Sequence, residues 1–278
     1  METFTPAGRA TIHYISLGTG AQTLIFLHGW TASVREWLPF ASELSDHHRV
    51  VCWDARGHGA HNYDDSIDMS IAAMADDLAE LLAHLEITDA VLIGHSMGAL
   101  TAWEYIRRHG EARLSGLCIL DQSPKLVTND NWQHGVYGAF TEQHNERFLS
   151  RLQADFPEGV LELIAFGYNE RSRDNYLNNS RGFQQMREHY QTLPAALLTA
   201  CWRDITQQDY RDVLGAISIP TLLVYGDQSQ FYSQALQQWV LSQIPHAKLT
   251  VYENADHSPH LWHRERFIYD LNRFVEGL

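Results

Sequence analysis

The chain has 278 residues, 45% of them hydrophobic and 19% charged, with a formal net charge of −14. This composition predicts a soluble globular protein long enough to bury a large core, as one α/β domain or one domain carrying an insertion. The acidic balance argues against nucleic acid and anionic membranes as partners, and no apolar run reaches membrane-spanning length.

Residues 1–6 lack the basic and apolar regions of a secretory signal. Cys52, Cys118 and Cys201 are an odd, widely spaced set that suits reduced core thiols, so a cytoplasmic location is expected. Residues 11–17 and 22–27 read as strands separated by Gly18-Thr19-Gly20, and residues 34–44 as a helix with Ser33 at its N-cap. A strand follows over 49–53. Residues 70–85 place Ile71, Met74, Leu78, Leu81, Leu82 and Leu85 on one helical face and Asp76, Asp77 and Glu80 on another. Strands are expected over 90–93, 114–120, 221–225 and 248–252. A helix over 234–242 separates the last two, and a final helix runs over about 259–275. Strands alternating with helices imply a mainly parallel sheet covered on both faces.

Residues 122–212 break this rhythm. They show no clear strand and carry twelve aromatics between Trp132 and Tyr210. An insert this long does not read as a structureless loop. It reads as a helical cap, with a minority of its aromatics facing a substrate cavity. The expected division is a core over 1–121, a cap over 122–212 and the rest of the core over 213–278.

Gly94-His95-Ser96-Met97-Gly98 carries the most chemical information. It sits between an apolar strand and a helix-forming run, the setting of a nucleophile elbow. The turn is too tight for side chains at the flanking positions, hence glycine at both, and it presents the serine Oγ at a helix N-terminus. A serine hydroxyl attacks only when a base takes its proton, so a histidine and an orienting acid are needed.

Four motifs together resemble the α/β-hydrolase superfamily: Leu27-His28-Gly29-Trp30, Trp53-Asp54-Ala55-Arg56-Gly57-His58-Gly59, the elbow, and Asp256-His257-Ser258-Pro259. The resemblance covers nearly the whole chain and is weakest in the cap. It implies an eight-stranded sheet with catalytic residues on loops at the strands' C-terminal ends. It makes Ser96 the nucleophile, His257 the base, and the backbone N–H groups of Trp30 and Met97 the oxyanion hole. Trp30, His28 and His95 are expected to touch substrate. Arg56-Gly57-His58-Gly59 is expected to shape its loop, with Arg56 on some carboxylate.

The usual acid position after the seventh strand holds Ser229, in Tyr225-Gly226-Asp227-Gln228-Ser229, and Asp227 lies two residues early. The family's second acid location, after the sixth strand, holds Asp121. Asp121 is therefore favoured over Asp227 as the group that fixes the His257 tautomer. His260 and His263 tempt a metal reading, but no HExxH pattern accompanies them; no metal and no cofactor is expected.

The reading is a serine hydrolase that cleaves a carboxylic ester, lactone or thioester bearing an apolar or aromatic group, acting as monomer or homodimer on a small molecule. Alternatives are a cofactor-free dioxygenase of an N-heteroaromatic ring with His257 as base, a C–C bond hydrolase, and a binding protein that kept the fold. A haloalkane dehalogenase is disfavoured, because those enzymes use an aspartate where this chain has Ser96.

Overall fold

Runs such as Leu24-Ile25-Phe26-Leu27 and Val91-Leu92-Ile93 are apolar at every position, so both faces of each strand must be covered. A computed structural model of the chain, which describes all residues except 60, 62 and 65, meets that demand with one eight-stranded sheet between helices. The strands are β1 (Glu2–Phe4), β2 (Ile12–Leu17), β3 (Thr23–Leu27), β4 (Arg49–Asp54), β5 (Ala90–His95), β6 (Leu114–Leu120), β7 (Thr221–Gly226) and β8 (Ala247–Tyr252). The core helices are α1 (Leu38–Leu44), α2 (Ile71–His84) and α3 (Met97–His109). Between β6 and β7 come α4 (Glu142–Ala154), α5 (Phe156–Ala165), α6 (Glu170–Leu177), α7 (Arg181–Tyr190), α8 (Ala195–Ile205) and α9 (Arg211–Leu214). The chain then adds α10 (Gln234–Gln243), α11 (Pro259–Trp262) and α12 (Arg264–Val275). No helix among the described residues is long and apolar enough to cross a membrane.

The sheet order is β1-β2-β4-β3-β5-β6-β7-β8. β2 runs antiparallel to both its neighbours, and β4 to β8 pair in parallel through β3. Alternate side chains enter opposite layers. Leu24, Phe26, Val91, Ile93 and Cys118 pack with α1 and α12, whereas Ile25, Leu27, Leu92, Leu117 and Ile119 pack with α2, α3 and the helices of the insertion. Register does the positioning. Leu27 pairs with Gly94, and His95 with Leu120. The loop after β3, the residue after β5 and the residue after β6 therefore emerge side by side, about 5 Å apart per strand.

Some sequence expectations change in detail. β1 has only three residues, too few to show a period, and sequence reading missed it. The helix expected over 34–44 is a 3-10 turn, Val34–Glu36, followed by α1, with Ser33 capping the turn. The final helix breaks at His263, whose φ of −126° and ψ of 58° separate α11 from α12. Asp77, expected on the polar face of α2, is buried: its carboxylate accepts two hydrogen bonds from Arg56, at 2.7 and 2.5 Å. Arg56 also donates to the Asp68 carbonyl, so it holds the loop after β4 against α2.

Candidate active site

The geometry of the elbow is forced. A Cβ on Gly94 would lie 2.6 Å from the Gly98 backbone, and one on Gly98 would lie 2.1 Å from the Leu27 carbonyl oxygen. Only glycine fits either position. Between them Ser96 is held at φ 52° and ψ −116°, outside the ordinary regions for an L-residue. Such strain costs about 1–3 kcal/mol and persists only where surrounding structure imposes it. Here the tie is Ser96 N–H to the Leu120 carbonyl at 3.2 Å, with α3 starting immediately after.

Asp121 follows β6 and is fully buried. Its Oδ1 lies 2.9 Å from His257 Nδ1 and accepts from Ser229 Oγ at 2.7 Å, while Oδ2 accepts from Gly226 N–H at 2.9 Å. A carboxylate bonded in this way makes Nδ1 of His257 a donor and leaves Nε2 as the basic nitrogen. Ser229, which stands at the usual acid position after β7, supports Asp121 at the end of the neighbouring strand. Asp227 is only half-buried and does not line the cavity beside Ser96. Its Oδ1 has no partner among the described residues.

His257 is held by Gln230, whose Oε1 accepts its backbone N–H at 2.8 Å, and by Phe231, whose ring stands edge-on at 4.5 Å. Burial pushes the His257 imidazole below its ordinary value and the neighbouring His95 adds to this, while the Asp121 carboxylate opposes both. The neutral, basic form is favoured. Ser96 and His257 line one cavity of about 680 Å³, together with Trp30, Met97 and residues of the insertion. Among the described residues, Ser96 Oγ has no hydrogen-bond partner. The backbone N–H groups of Trp30 and Met97 are likewise unengaged among the described residues. The Trp30 indole N–H donates to the Leu198 carbonyl at 2.9 Å, which ties the loop after β3 to α8.

One expectation about substrate contact needs correction, and a second is narrowed. His28 does not line the cavity. Its Nε2 accepts the Ala55 N–H at 3.0 Å, which makes Nδ1 the donor to the Gly29 carbonyl at 2.8 Å; the ring braces two loops from within. His95 does line the cavity, but both its nitrogens face protein groups, Glu36 at 2.6 Å and the His257 carbonyl at 2.9 Å. Of the twelve aromatics in 122–212, three line the cavity, Phe183, Tyr190 and Trp202; the others lie elsewhere, several of them buried in the core. The residues that sequence reading missed, Glu36, Ser229 and Gln230, carry no motif. Only the serine standing at the usual acid position signalled one of them.

Glu36, His95 and His260 form the one group of potential metal ligands among the described residues, their donor atoms lying within 4.8 Å of one another. Ligands sharing a tetrahedral zinc with bonds of about 2.0–2.1 Å stand about 3.3 Å apart. The 2.6 Å from His95 Nδ1 to Glu36 is the closer approach of an ion pair.

Residues 22–264 match the family described as alpha/beta hydrolase fold. The chain is 29% identical to a non-heme chloroperoxidase of Kitasatospora aureofaciens over 272 residues, covering 95% of each protein. It is 27% identical to the pimeloyl-[acyl-carrier protein] methyl ester esterase of Aeromonas hydrophila, covering 91% of this chain and 94% of that one. Among solved structures, an esterase from Exiguobacterium antarcticum superposes with a TM-score of 0.81 at 23% identity, over 96% of both chains.

Proposed function

The chain belongs to the alpha/beta hydrolase fold family, and from that premise we propose that it is a serine hydrolase acting on carboxylic ester, lactone or thioester bonds through an acyl-enzyme. The observation that carries the reading is the contact of fully buried Asp121 with Nδ1 of His257 at 2.9 Å, behind the cavity that His257 lines together with the strained Ser96. The esterase relatives agree with it.

In this mechanism Ser96 Oγ attacks the substrate carbonyl carbon while His257 Nε2 takes its proton. The carbonyl oxygen becomes an alkoxide held by Trp30 N–H and Met97 N–H; one such donor is worth about 3–4 kcal/mol of barrier. The positive end of α3 favours the same charge. His257 then protonates the leaving oxygen or sulfur as the C–O or C–S bond breaks. Water, deprotonated by His257, releases the acyl group. Asp121 keeps Nδ1 protonated and stabilises the imidazolium without taking its proton.

Residues 122–212 act as a cap. The cavity they share with the core has apolar walls, including Val160, Leu163, Phe183, Met186 and Trp202, which suits an apolar or aromatic acyl or alcohol group.

The test is intact mass after exposure to an alkyl fluorophosphonate, with peptide mapping. One adduct on Ser96, absent from Ser96→Ala, is expected. A folded chain that takes no adduct and consumes oxygen with a hydroxyquinolone would replace the reading with a cofactor-free dioxygenase.

A further inference from the structure

A second charged group lies behind the triad. Glu36 sits in the 3-10 turn after the Trp30 loop, its side chain only 6% exposed. Its Oε2 accepts the Gly29 N–H at 3.0 Å, on the residue before Trp30. Its Oε1 lies 3.0 Å from His260 Nε2 on α11 and 2.6 Å from His95 Nδ1 on the elbow; the latter is an ion-pair contact bent away from a straight hydrogen bond. His95 Nε2 in turn lies 2.9 Å from the backbone carbonyl of His257. One buried carboxylate and one imidazole thus connect the loop after β3, the elbow, the His257 loop and α11.

The partners of His95 bear on its protonation: Nε2 makes a hydrogen bond to a carbonyl, and Nδ1 faces the Glu36 carboxylate at ion-pair distance without a formed hydrogen bond. A carboxylate and a peptide carbonyl accept hydrogen bonds and donate none. An imidazole with an acceptor at each nitrogen satisfies both only by carrying two protons, which makes it a cation. His260 differs. It has one acceptor, Glu36, while its Nδ1 has no partner among the described residues and its ring stacks on Trp37 at 4.6 Å. One proton, on Nε2, meets its single acceptor, so the ring is neutral.

We propose that Glu36 and His95 form a second carboxylate–imidazolium pair that positions the Trp30 loop against the His257 loop and sets a fixed positive charge beside His257. The role rests on the serine-hydrolase reading; the charge state does not. Both residues are positioning residues, since His95 acts through the His257 backbone and Glu36 through Gly29.

The directions of titration agree. Burial works against the charge of His95, but the Glu36 carboxylate outweighs it and raises the imidazole, with Asp121 adding to this. Burial would raise Glu36, yet His95 and His260 together hold its carboxyl well below the usual range. Burial takes His260 down to about 4, with His95 contributing. The charged and titratable groups around His257 are Asp121 from the end of β6, Asp256 on its own loop, His95 from the elbow, His260 from α11 and Tyr232 from the loop after β7. His95 is the cation among them, with its ring centroid 4.8 Å from that of His257.

The test has two arms. The first is ¹⁵N NMR of the histidine rings in the resting chain, with the His95 signal assigned by its loss in His95→Gln. Two protonated nitrogens at pH 7, and a midpoint above the ordinary value of about 6.5, are expected. A neutral His95 at pH 7 overturns the proposal, and so does uptake of one zinc ion that Glu36→Gln abolishes. The second arm is the pH profile of kcat/KM, or of fluorophosphonate labelling, for His95→Gln. Loss of the cation beside an unmasked Glu36 should move the acid limb up by about one pH unit, as expected for removal of a like charge at this range. It should also lower kcat about tenfold with KM little changed. A uniform fall with an unmoved limb overturns the proposal. A Ser96 that never labels, with His95 doubly protonated, refutes the hydrolase reading and leaves the ion pair standing.

Discussion

The sharpest prediction concerns Asp121→Asn. The carboxylate accepts from three donors, His257 Nδ1, Ser229 Oγ and Gly226 N–H, and is fully buried. An asparagine has one acceptor oxygen and one amide nitrogen, and neither orientation serves all three. With the oxygen toward His257 and Ser229, the amide N–H₂ faces Gly226 N–H, donor against donor. With the oxygen toward Gly226, the amide donates to His257 Nδ1 and drives its proton to Nε2, the tautomer that cannot accept from Ser96. The first orientation leaves a buried donor unpaired at about 1–3 kcal/mol, so the second is favoured, with Ser229 free to turn its hydroxyl. The expected loss in kcat is about 10⁴-fold, the size found for the equivalent change in a serine-protease triad, or roughly 5.4 kcal/mol of barrier. The assay is steady-state release of nitrophenol from an aryl ester, with circular dichroism to confirm folding. Asp227→Asn is the control and should stay within about threefold, in line with a site outside the catalytic unit. A folded Asp121→Asn that keeps a tenth of the parent kcat, or an equal loss in Asp227→Asn, would refute the assignment of the acid.

Two further predictions concern stability. Arg56→Ala strands the buried Asp77 carboxylate and should lower unfolding free energy by about 3–5 kcal/mol; urea denaturation measures this, and a change below about 1 kcal/mol would show that the pair is dispensable. Burial pushes His58 down to about 3 and His260 to about 4, and His257 is also lowered, whereas His95 is raised. The lowered rings bind protons more readily once unfolded, so their stabilisation is full above about pH 6.5 and fades as pH falls; His95 has the opposite sign. With three lowered against one raised, stability should fall by about 1.4 kcal/mol per unit or more between pH 6.5 and 5. Equal urea midpoints at pH 7.5, 6 and 5 would contradict this.

Much of this protein is legible in its residue order. Apolar strands with flanking turn residues locate seven of the eight strands to within a residue or two, because a strand buried on both faces has no polar position to obscure it. The elbow is legible as five consecutive residues, although only Gly94 is forced by a contact within its strand–turn–helix unit; Gly98 is forced by Leu27 of β3, and Ser96 is tied to Leu120 of β6. The pairing of Asp121 with His257 depends instead on two residues 136 apart in sequence, joined only because β6, β7 and β8 lie adjacent in the sheet. The sequence narrowed the candidate acid to two aspartates, and the sheet register decided which lies beside His257. His28 and Asp77 mark the limit in the other direction. Their residue types suit a substrate contact and a solvated helix face, but the fold buries both against partners from other elements, Ala55 and Arg56. Glu36 shows it most plainly. A lone glutamate before a tryptophan has no pattern to distinguish it, and it becomes part of the site only when the loop after β3, the elbow and α11 converge. The elbow motif is written in consecutive residues, whereas the charge network depends on long-range packing, which no short stretch of the sequence encodes.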